Sequence, residues 1–441
     1  SPAPPQRCRV LELGCGDGGN LIPMAWSLPE SRFLGIDLAT TAIANARAMA
    51  QQLPIANCDF ESLDLLTFPP NSGQFDFIIA QGVYSWVPET VREKILAICH
   101  DHLAPQGVAF ISYNAYPGGY LRQMTCSMMR YHTRTTGDPA AKVKQGRALL
   151  RFAVEAQPEP GTYRSVLEDE LKRLDRLEIS GIYHDDFSPL NTTFYFHEFV
   201  ANARRHELQF LCEADLFEME TGQLPESIAA RFRALDRDVL AREQYLDLIK
   251  GRFFRQTLIC RADIKLDRSF NSSRVEGLHA SSAAAAASTQ PNLKPGVPEE
   301  FRIAGGAEVT TTSATAKAAL LHLSTIWPRM AGIGEIHAAS QTHLTKAGID
   351  EVPAESLPAL LLMMCRIGLV NFRFNPPGLV SAPGLYPAAS TLARLQAKRG
   401  GAVTNLLHEF VQLESAFIRH LVTLLDGTRD RAGLLGALGR L

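Results

Sequence analysis

The chain lacks a surplus of either charge: 44 basic residues stand against 46 acidic ones, for a formal charge of −2. No bulk basic field is available for gripping nucleic acid without sequence preference. Its eight cysteines are scattered singly with no Cys-x-x-Cys pair, which argues against a disulfide framework and points to a reducing, cytoplasmic setting. No zinc spacing and no Ser/His/Asp arrangement stands out, so no metal site is expected. No run of about 18 uncharged apolar residues occurs, so no membrane span is expected. The most apolar stretch, Leu357 to Val370, is interrupted by Pro358 and Arg366 and reads as a buried helix. Also missing are an initiator Met and a signal-peptide pattern, and Ser-Pro-Ala-Pro-Pro leads almost at once into a core strand, as if an upstream segment were left out. What remains is a chain of 441 residues, 46% hydrophobic and 20% charged, the composition of a globular protein with two or three domains.

The first 115 residues alternate strand-like and helical runs, the pattern of a parallel sheet with crossover helices. Strands are predicted at Arg9 to Leu13, Arg32 to Asp37, Cys58 to Ser62, Phe75 to Ala80 and Gly107 to Tyr113, with helices at Asn20 to Leu28, Thr40 to Leu53 and Glu89 to Leu103. From Pro117 to about Leu190 the period is helical, as in an insertion; two later strands, Glu207 to Ala214 and Arg252 to Ala262, are placed to complete the sheet, with Phe196 to His206 and Pro225 to Leu248 helical between. The expected fold is therefore an α/β, Rossmann-like sheet with a helical insertion, plus a mostly α C-terminal domain of winged-helix-like order. The divisions are 1–116, 117–190, 191–265, a mobile linker at 266–300, and 301–441. In the last, helices Ser313 to Trp327, Ile333 to Ala347 and Ala354 to Ile367 precede strands Val370 to Phe374 and Gly378 to Ala382, then helices Ala388 to Lys398 and Val403 to Leu425.

The stretch that carries chemistry is Glu12-Leu13-Gly14-Cys15-Gly16-Asp17-Gly18-Gly19-Asn20. Glycines directly after a buried strand permit a tight turn and close approach of a ligand, and the next helix offers free N–H groups. Gly14, Gly16 and Gly19 satisfy the dinucleotide spacing, but Glu12 beside them would repel a pyrophosphate and suit an ammonium instead. Cys15 needs only to be small. Asp37, at the end of the next strand, is placed to accept both ribose hydroxyls, with Leu38 to pack on the adenine. Asp64 and Leu65 follow the third strand and are read as adenine contacts, and Gln81 opens the loop after the fourth. Together these describe a site for S-adenosyl-L-methionine.

Here the chain resembles the class I S-adenosylmethionine-dependent methyltransferases, strongly over Arg9 to about Asn114. A narrower resemblance rests on Gly82-Val-Tyr-Ser-Trp-Val-Pro88, Ser112-Tyr-Asn-x-x-Pro-Gly118, Asn191-Thr-Thr-Phe-Tyr-Phe-His-Glu-Phe199, Leu208-Gln-Phe-Leu-Cys-Glu-Ala214 and Phe254-Arg-Gln-Thr-Leu258. These segments are similar to bacterial methyltransferases with a methyltransferase regulatory domain, including rickettsial protein-lysine methyltransferases of outer-membrane proteins. The resemblance implies a protein substrate, a homodimer built through the helical unit, and transfer to lysine amines. Two departures are Gln81, where that family usually has His, and Gly119, where it commonly has Trp; the second is expected to widen the pocket.

Transfer from a sulfonium is an in-line displacement in which the enzyme chiefly positions a lone pair and excludes water. Aromatic and amide walls suffice, and the expected ones are Tyr84, Trp86, Tyr113 and Asn114, with Tyr116 in reserve. His100-Asp101-His102 is read as a solvated face, while His184-Asp185-Asp186 and His197-Glu198 are weaker candidates for carboxylates near a substrate ammonium. Alternatives are a small-molecule or oligosaccharide methyltransferase and a non-catalytic cofactor sensor. The C-terminal helices carry few basic residues, favouring contact with protein over DNA.

Overall fold

The computed structural model describes residues 2–222, 224–235, 237–269, 271–349 and 355–439. The N-terminal half alternates strand and helix as its pattern requires: β1 (Arg9–Leu13), α1 (Leu21–Ser27), β2 (Arg32–Asp37), α2 (Thr40–Ala50), β3 (Cys58–Ser62), β4 (Phe75–Ala80), α3 (Glu89–His102) and β5 (Leu103–Asn114). The insertion follows as α4 (Gly119–His132), α5 (Pro139–Glu155), α6 (Thr162–Asp175) and α7 (Ile179–Phe187). Then come α8 (Phe196–Arg205), β6 (Leu208–Glu213), α9 (Glu226–Arg233), α10 (Val239–Lys250) and β7 (Phe254–Arg261). The helical run expected from Pro225 to Leu248 is thus two helices, divided where Asp238 accepts the Ala241 N–H and starts α10.

Seven strands form one sheet in the order β3-β2-β1-β4-β5-β7-β6. β1 to β5 are parallel, and β7 runs antiparallel to both β5 and β6. The two late strands therefore complete the sheet. Leu11, Leu13, Ile36, Ile78 and Ile111 bury one face, whereas Val10, Phe33 and Phe60 pack on the other against Leu21, Ile22 and Ala46. Such two-sided burial is what an all-apolar parallel strand requires. The insertion has a core of its own around Met129, Val143, Leu150, Leu167, Leu174 and Ile182.

The 266–300 segment is not the mobile linker its composition suggests. It contributes β8 (His279–Ser281), β9 (Ala285–Ala286) and the start of β10 (Glu299–Arg302), and it is followed by β11 (Glu308–Thr311), α11 (Ala314–Ile326), β12 (Ala331–Gly332), α12 (Ile333–Lys346), α13 (Leu357–Arg366) and β13 (Asn371–Arg373). Ala280 and Ala284 are fully buried against Phe301, Ala316 and Leu320. Small side chains are what close packing of these strands on α11 demands, so a run that looks low in complexity places Ser282 and Ala284 in the core while Ala285 and Ala287 stay exposed. Lys317 holds the preceding loop, its buried Nζ donating to the carbonyls of Asn292, Lys294 and Val297.

Two further expectations fail beyond it. Gly378 to Ala382 forms no strand, because β13 takes β8 as its antiparallel partner and Pro376-Pro377 offers no N–H for a ladder. Val403 to Leu425 is not one helix. After α14 (Thr391–Arg399) it forms β14 (Ala402–Thr404), β15 (Phe410–Gln412) and α15 (Ala416–Leu424), before α16 (Arg431–Leu438). Asn405 Oδ1 accepts the N–H groups of Leu407 and Glu409, a local turn that competes with helix, and His408 sits at φ 64°. The expected helix start at Ala354 lies outside the described residues. This last unit packs on α1: Leu392 joins the core beside Leu21 and Ile22, and His408 Nε2 lies 3.1 Å from Ser27 Oγ.

Candidate active site

The carboxyl edge of the parallel strands is where such sheets bind ligands, since each strand there releases its chain into a loop. At the end of β1, Gly14, Gly16 and Gly18 all have positive φ, at 75°, 55° and 79°. A Cβ on Gly14 would lie 2.3 Å from Val83 Cγ2, so the turn closes directly under the loop after β4. The Gly14 and Cys15 N–H groups both donate to Ile36 O, tying the turn to β2.

Two carboxylates flank this turn. Glu12 is buried, and its Oε1 accepts from Asn20 Nδ2 at 2.9 Å while Oε2 has no partner. Its pKa is pushed up to about 7, mainly by burial, with the Asp37 charge adding to the effect and the Asn20 hydrogen bond opposing it. Asp37 accepts the Gly16 N–H with Oδ2 and the Ala39 N–H with Oδ1, both at 2.8 Å. The Cys15 thiol between them is raised to about 12, first by burial and then by these same two charges. The hollow is therefore negative and incompletely satisfied. Leu38 beside it is 71% exposed, an apolar side chain with no protein cover.

Of the remaining expected contacts, Asp64 is exposed and accepts the Leu66 N–H at 2.9 Å, and Gln81 is exposed at the loop mouth. Leu65 is a correction: its side chain is buried in the main core, and the exposed neighbour is Leu66.

The acceptor walls differ more from expectation. Tyr84 and Tyr113 are buried with 0% and 1% exposure, so in this arrangement neither ring faces a substrate. Tyr113 stacks on Phe199 at 4.3 Å between centroids, and Tyr84 packs edge-on to the same ring at 5.4 Å. Their hydroxyls are used internally: Tyr84 Oη accepts from Asn202 Nδ2, and Tyr113 Oη is hydrogen-bonded with Thr257 Oγ1. Burial holds the Tyr84 phenol at about 12. Aromatic character identified the stretch, but α8 supplies Phe199 and claims both rings for the core. Trp86 is half-buried and packs against His184 of the insertion, 5.3 Å between centroids.

Asn114 stays at the edge. Its N–H donates to Ser85 Oγ at 2.8 Å, its carbonyl accepts from the Phe194 N–H at 3.0 Å, and its Nδ2 donates to Asn191 Oδ1 at 2.7 Å. No described residue engages its Oδ1. Residues 191–195 thus form a strap across the ends of the β4 and β5 loops, held also by Thr192 N–H to Ser85 O and by Arg92 to Thr192 Oγ1. Ser85, Asn191 and Thr192 lie in segments that carry the family resemblance, but the sequence assigns them no site role, because their partners lie up to 107 residues away. Gly119 does not widen a pocket: a Cβ there would meet Thr193 Cγ2 at 2.6 Å, so glycine lets the strap approach α4.

The other candidates have structural partners. Asp186 is buried and bound by Arg122 and Arg173, and Asp185 is bound by Arg122. His197 contacts Gln244, and His102 is buried rather than solvated, its Nδ1 2.9 Å from Gly73 O. Among the described residues no group of three or more His, Cys, Asp or Glu is placed to hold a metal. No helix among them is long and apolar enough to cross a membrane.

Comparison with known proteins bears on this edge. A methyltransferase domain model matches residues 10–107, and a predicted methyltransferase regulatory domain matches residues 180–261. An uncharacterized protein of Rickettsia prowazekii is 33% identical over 212 residues, 48% of this chain and 85% of that protein. The chain belongs to the class I S-adenosylmethionine-dependent methyltransferases that carry a methyltransferase regulatory domain. Within this family, a second uncharacterized R. prowazekii protein is 29% identical over 98% of this chain and 79% of its own length. The structure of PKMT2 from Rickettsia typhi in complex with AdoHcy superposes with a TM-score of 0.87 at 26% identity, covering 100% of this chain and 86% of that one. A PKMT C-terminal winged helix domain matches residues 386–441, within the C-terminal region expected to be winged-helix-like. A trans-aconitate 2-methyltransferase of Deinococcus radiodurans is 32% identical over 40% of this chain and 62% of its own length.

The methyltransferase cofactor, S-adenosyl-L-methionine, supplies an electrophilic methyl group on a sulfonium. The orphaned Glu12 Oε2 fits an ammonium, and Gly14 and Gly16 leave backbone room for the methionyl chain beside Asn20. Asp37 fits vicinal hydroxyls, since each of its oxygens keeps a lone pair beyond the amide it already accepts. Leu38 and Asp64 fit an apolar ring with an exocyclic amine.

Proposed function

We propose that this methyltransferase transfers methyl groups to lysine side chains of a protein substrate. The full-length likeness to PKMT2 of R. typhi carries the reading, since it extends over the insertion and C-terminal units as well as the sheet. The site chemistry agrees with it. A neutral amine is already a nucleophile, so the acceptor needs a positioned lone pair, loss of one proton and exclusion of water rather than a strong base. Asn114 Oδ1 offers an acceptor to an amine N–H at the place where the β4 and β5 loops meet. Burial of an amine beside a sulfonium lowers its pKa from about 10.4, which yields the free base. In this reading the enzyme acts in the cytoplasm as a homodimer joined through 117–190, where Tyr131 and Phe152 are exposed at 70% and 68%. A protein of the outer membrane, met before export, is the substrate the resemblance favours.

The test is incubation of the purified protein with methyl-labelled S-adenosylmethionine and a lysate of a related bacterium, followed by peptide mass spectrometry. Label on lysine Nζ supports the reading. Label confined to small molecules rejects the protein acceptor.

A further inference from the structure

Burial of Tyr84 and Tyr113 leaves a different aromatic group at the sheet edge. Tyr116 and Tyr120 stack with centroids 4.1 Å apart, and Tyr195 lies 5.1 Å from Tyr116 at 44°. The Tyr120 and Tyr195 hydroxyls converge to 3.5 Å. These residues come from two helix starts that the fold presses together: Tyr120 is in the first turn of α4, and Tyr195 is the N-cap of α8. The Gly119 contact with Thr193 permits the approach, and Gln123 locks it, receiving from Tyr116 Oη and donating to Thr193 Oγ1.

One face of Tyr120 is spent on Tyr116, yet the residue remains 52% exposed. Glu198, also exposed, accepts the Tyr195 N–H with Oε2 at 2.8 Å and places its charge near Tyr120. A cation gains from a ring face and from a carboxylate at once, whereas a neutral or anionic group gains from neither. The group also adjoins the acceptor amide, because Tyr116 follows Asn114 by two residues and its N–H donates to Phe194 O within the strap.

We propose that Tyr116, Tyr120 and Tyr195, with Glu198, form the subsite that receives the alkylammonium of the acceptor lysine. This rests on the lysine reading for its biological occupant, but the cation chemistry stands independently. Each methyl added to an amine weakens its hydration and favours the ring face further, so a methylated lysine is held at least as well as an unmodified one.

Ring-labelled tyrosine in the full-length protein reports occupancy by NMR, with tetramethylammonium as the probe and tert-butanol as a neutral control. The Tyr120 signal, assigned by loss in Tyr120→Phe, is expected to shift with the cation and not with the alcohol. Tyr120→Ala should weaken cation binding at least fivefold, with Tyr120→Phe within threefold of the parent. Calorimetry with S-adenosylmethionine checks that the Tyr120→Ala fold and cofactor site are intact, with a Kd within twofold. Equal shifts with both probes, or no shift, overturn the subsite. Label on lysine without a tetramethylammonium shift removes the subsite and keeps the lysine reading; a shift with label only on small molecules does the reverse.

Discussion

Asn114 Nδ2 donates to Asn191 Oδ1 across 2.7 Å, joining the end of β5 to a strap 77 residues further along the chain. With its N–H on Ser85 and its carbonyl on Phe194, Asn114 has a single free polar atom, Oδ1, and the Asn191 bond is what fixes where that atom points. A neutral hydrogen bond of this kind is worth about 0.5–1.5 kcal/mol. Asn191→Ala should therefore lower kcat by about threefold to tenfold. KM for the acceptor and Kd for S-adenosylmethionine should hardly move, because no cofactor contact is lost. Asn191→Asp keeps the acceptor oxygen and should restore most of the rate. Steady-state kinetics with calorimetry separates the three quantities; an equal rise in cofactor Kd would show that the strap acts on the cofactor instead.

Glu12 makes cofactor affinity depend on pH. With its carboxyl pushed up to about 7, mainly by burial, the group loses its charge as pH falls through that value. The cofactor ammonium favours the charged form, so Kd should rise as pH falls below about 7, by up to about tenfold per pH unit. Calorimetric titration between about pH 5 and 7, below the range where an α-ammonium itself titrates, should show this slope in the parent and none in Glu12→Gln, whose affinity should be uniformly weaker.

Gly14 is fixed by both conformation and space. Its φ of 75° is costly for any other residue, by about 1–2 kcal/mol, and a Cβ would lie 2.3 Å from Val83 Cγ2. Gly14→Ala should abolish measurable cofactor binding by pushing the β4 loop off the glycine turn. Adding Val83→Ala removes the clash and leaves only the backbone cost. The double variant should recover binding to within about 30-fold of the parent, a factor set by that conformational penalty.

The parts of this architecture legible in the sequence are those set by local chemistry. Val10 to Gly16 and Arg32 to Asp37 carry strand, turn and carboxylate within a few residues, and the sheet and cofactor cleft follow from them. Roles decided by distant partners were hidden. Tyr84 reads as a pocket wall until Phe199, over a hundred residues on, claims it for the core. The alanines of 283–287 read as linker until α11 packs on Ala284 and Ala286, and Val403 to Leu425 reads as helix from its apolar spacing until the Asn405 turn breaks it. Tyr120 and Tyr195 acquire a shared role only because α4 and α8 begin side by side.

The edge that presents Asn114 stands on a buried ion cluster, and its removal should be read as loss of fold. Arg255 is 1% exposed; its Nε donates to Asp247, Nη1 to Glu213, and Nη2 to Glu243 and Asp247, with the guanidinium 4.0 Å from the Phe196 ring centroid. Glu213 also accepts from Thr257, whose Oγ1 lies 3.2 Å from Tyr113 Oη, so the cluster fastens β6 and β7 behind β5. Burial raises the pKa values of Glu243 and Asp247 even with the arginine present, showing how much positive charge the site requires. Arg255→Ala leaves Glu213, Glu243 and Asp247 buried without their shared arginine, with Arg252 still beside Glu243 and Asp247 and Arg242 beside Glu243, and should cost about 3–5 kcal/mol. The expected outcome is a large fall in the midpoint of thermal unfolding, partly recovered at acidic pH as the carboxylates protonate. Exposed pairs such as Arg7 with Glu30 should give no measurable change when broken, since solvent screens them. An Arg255→Ala protein with a parental midpoint would mean that the carboxylates take up protons at little cost, and that the sheet edge does not depend on this arginine.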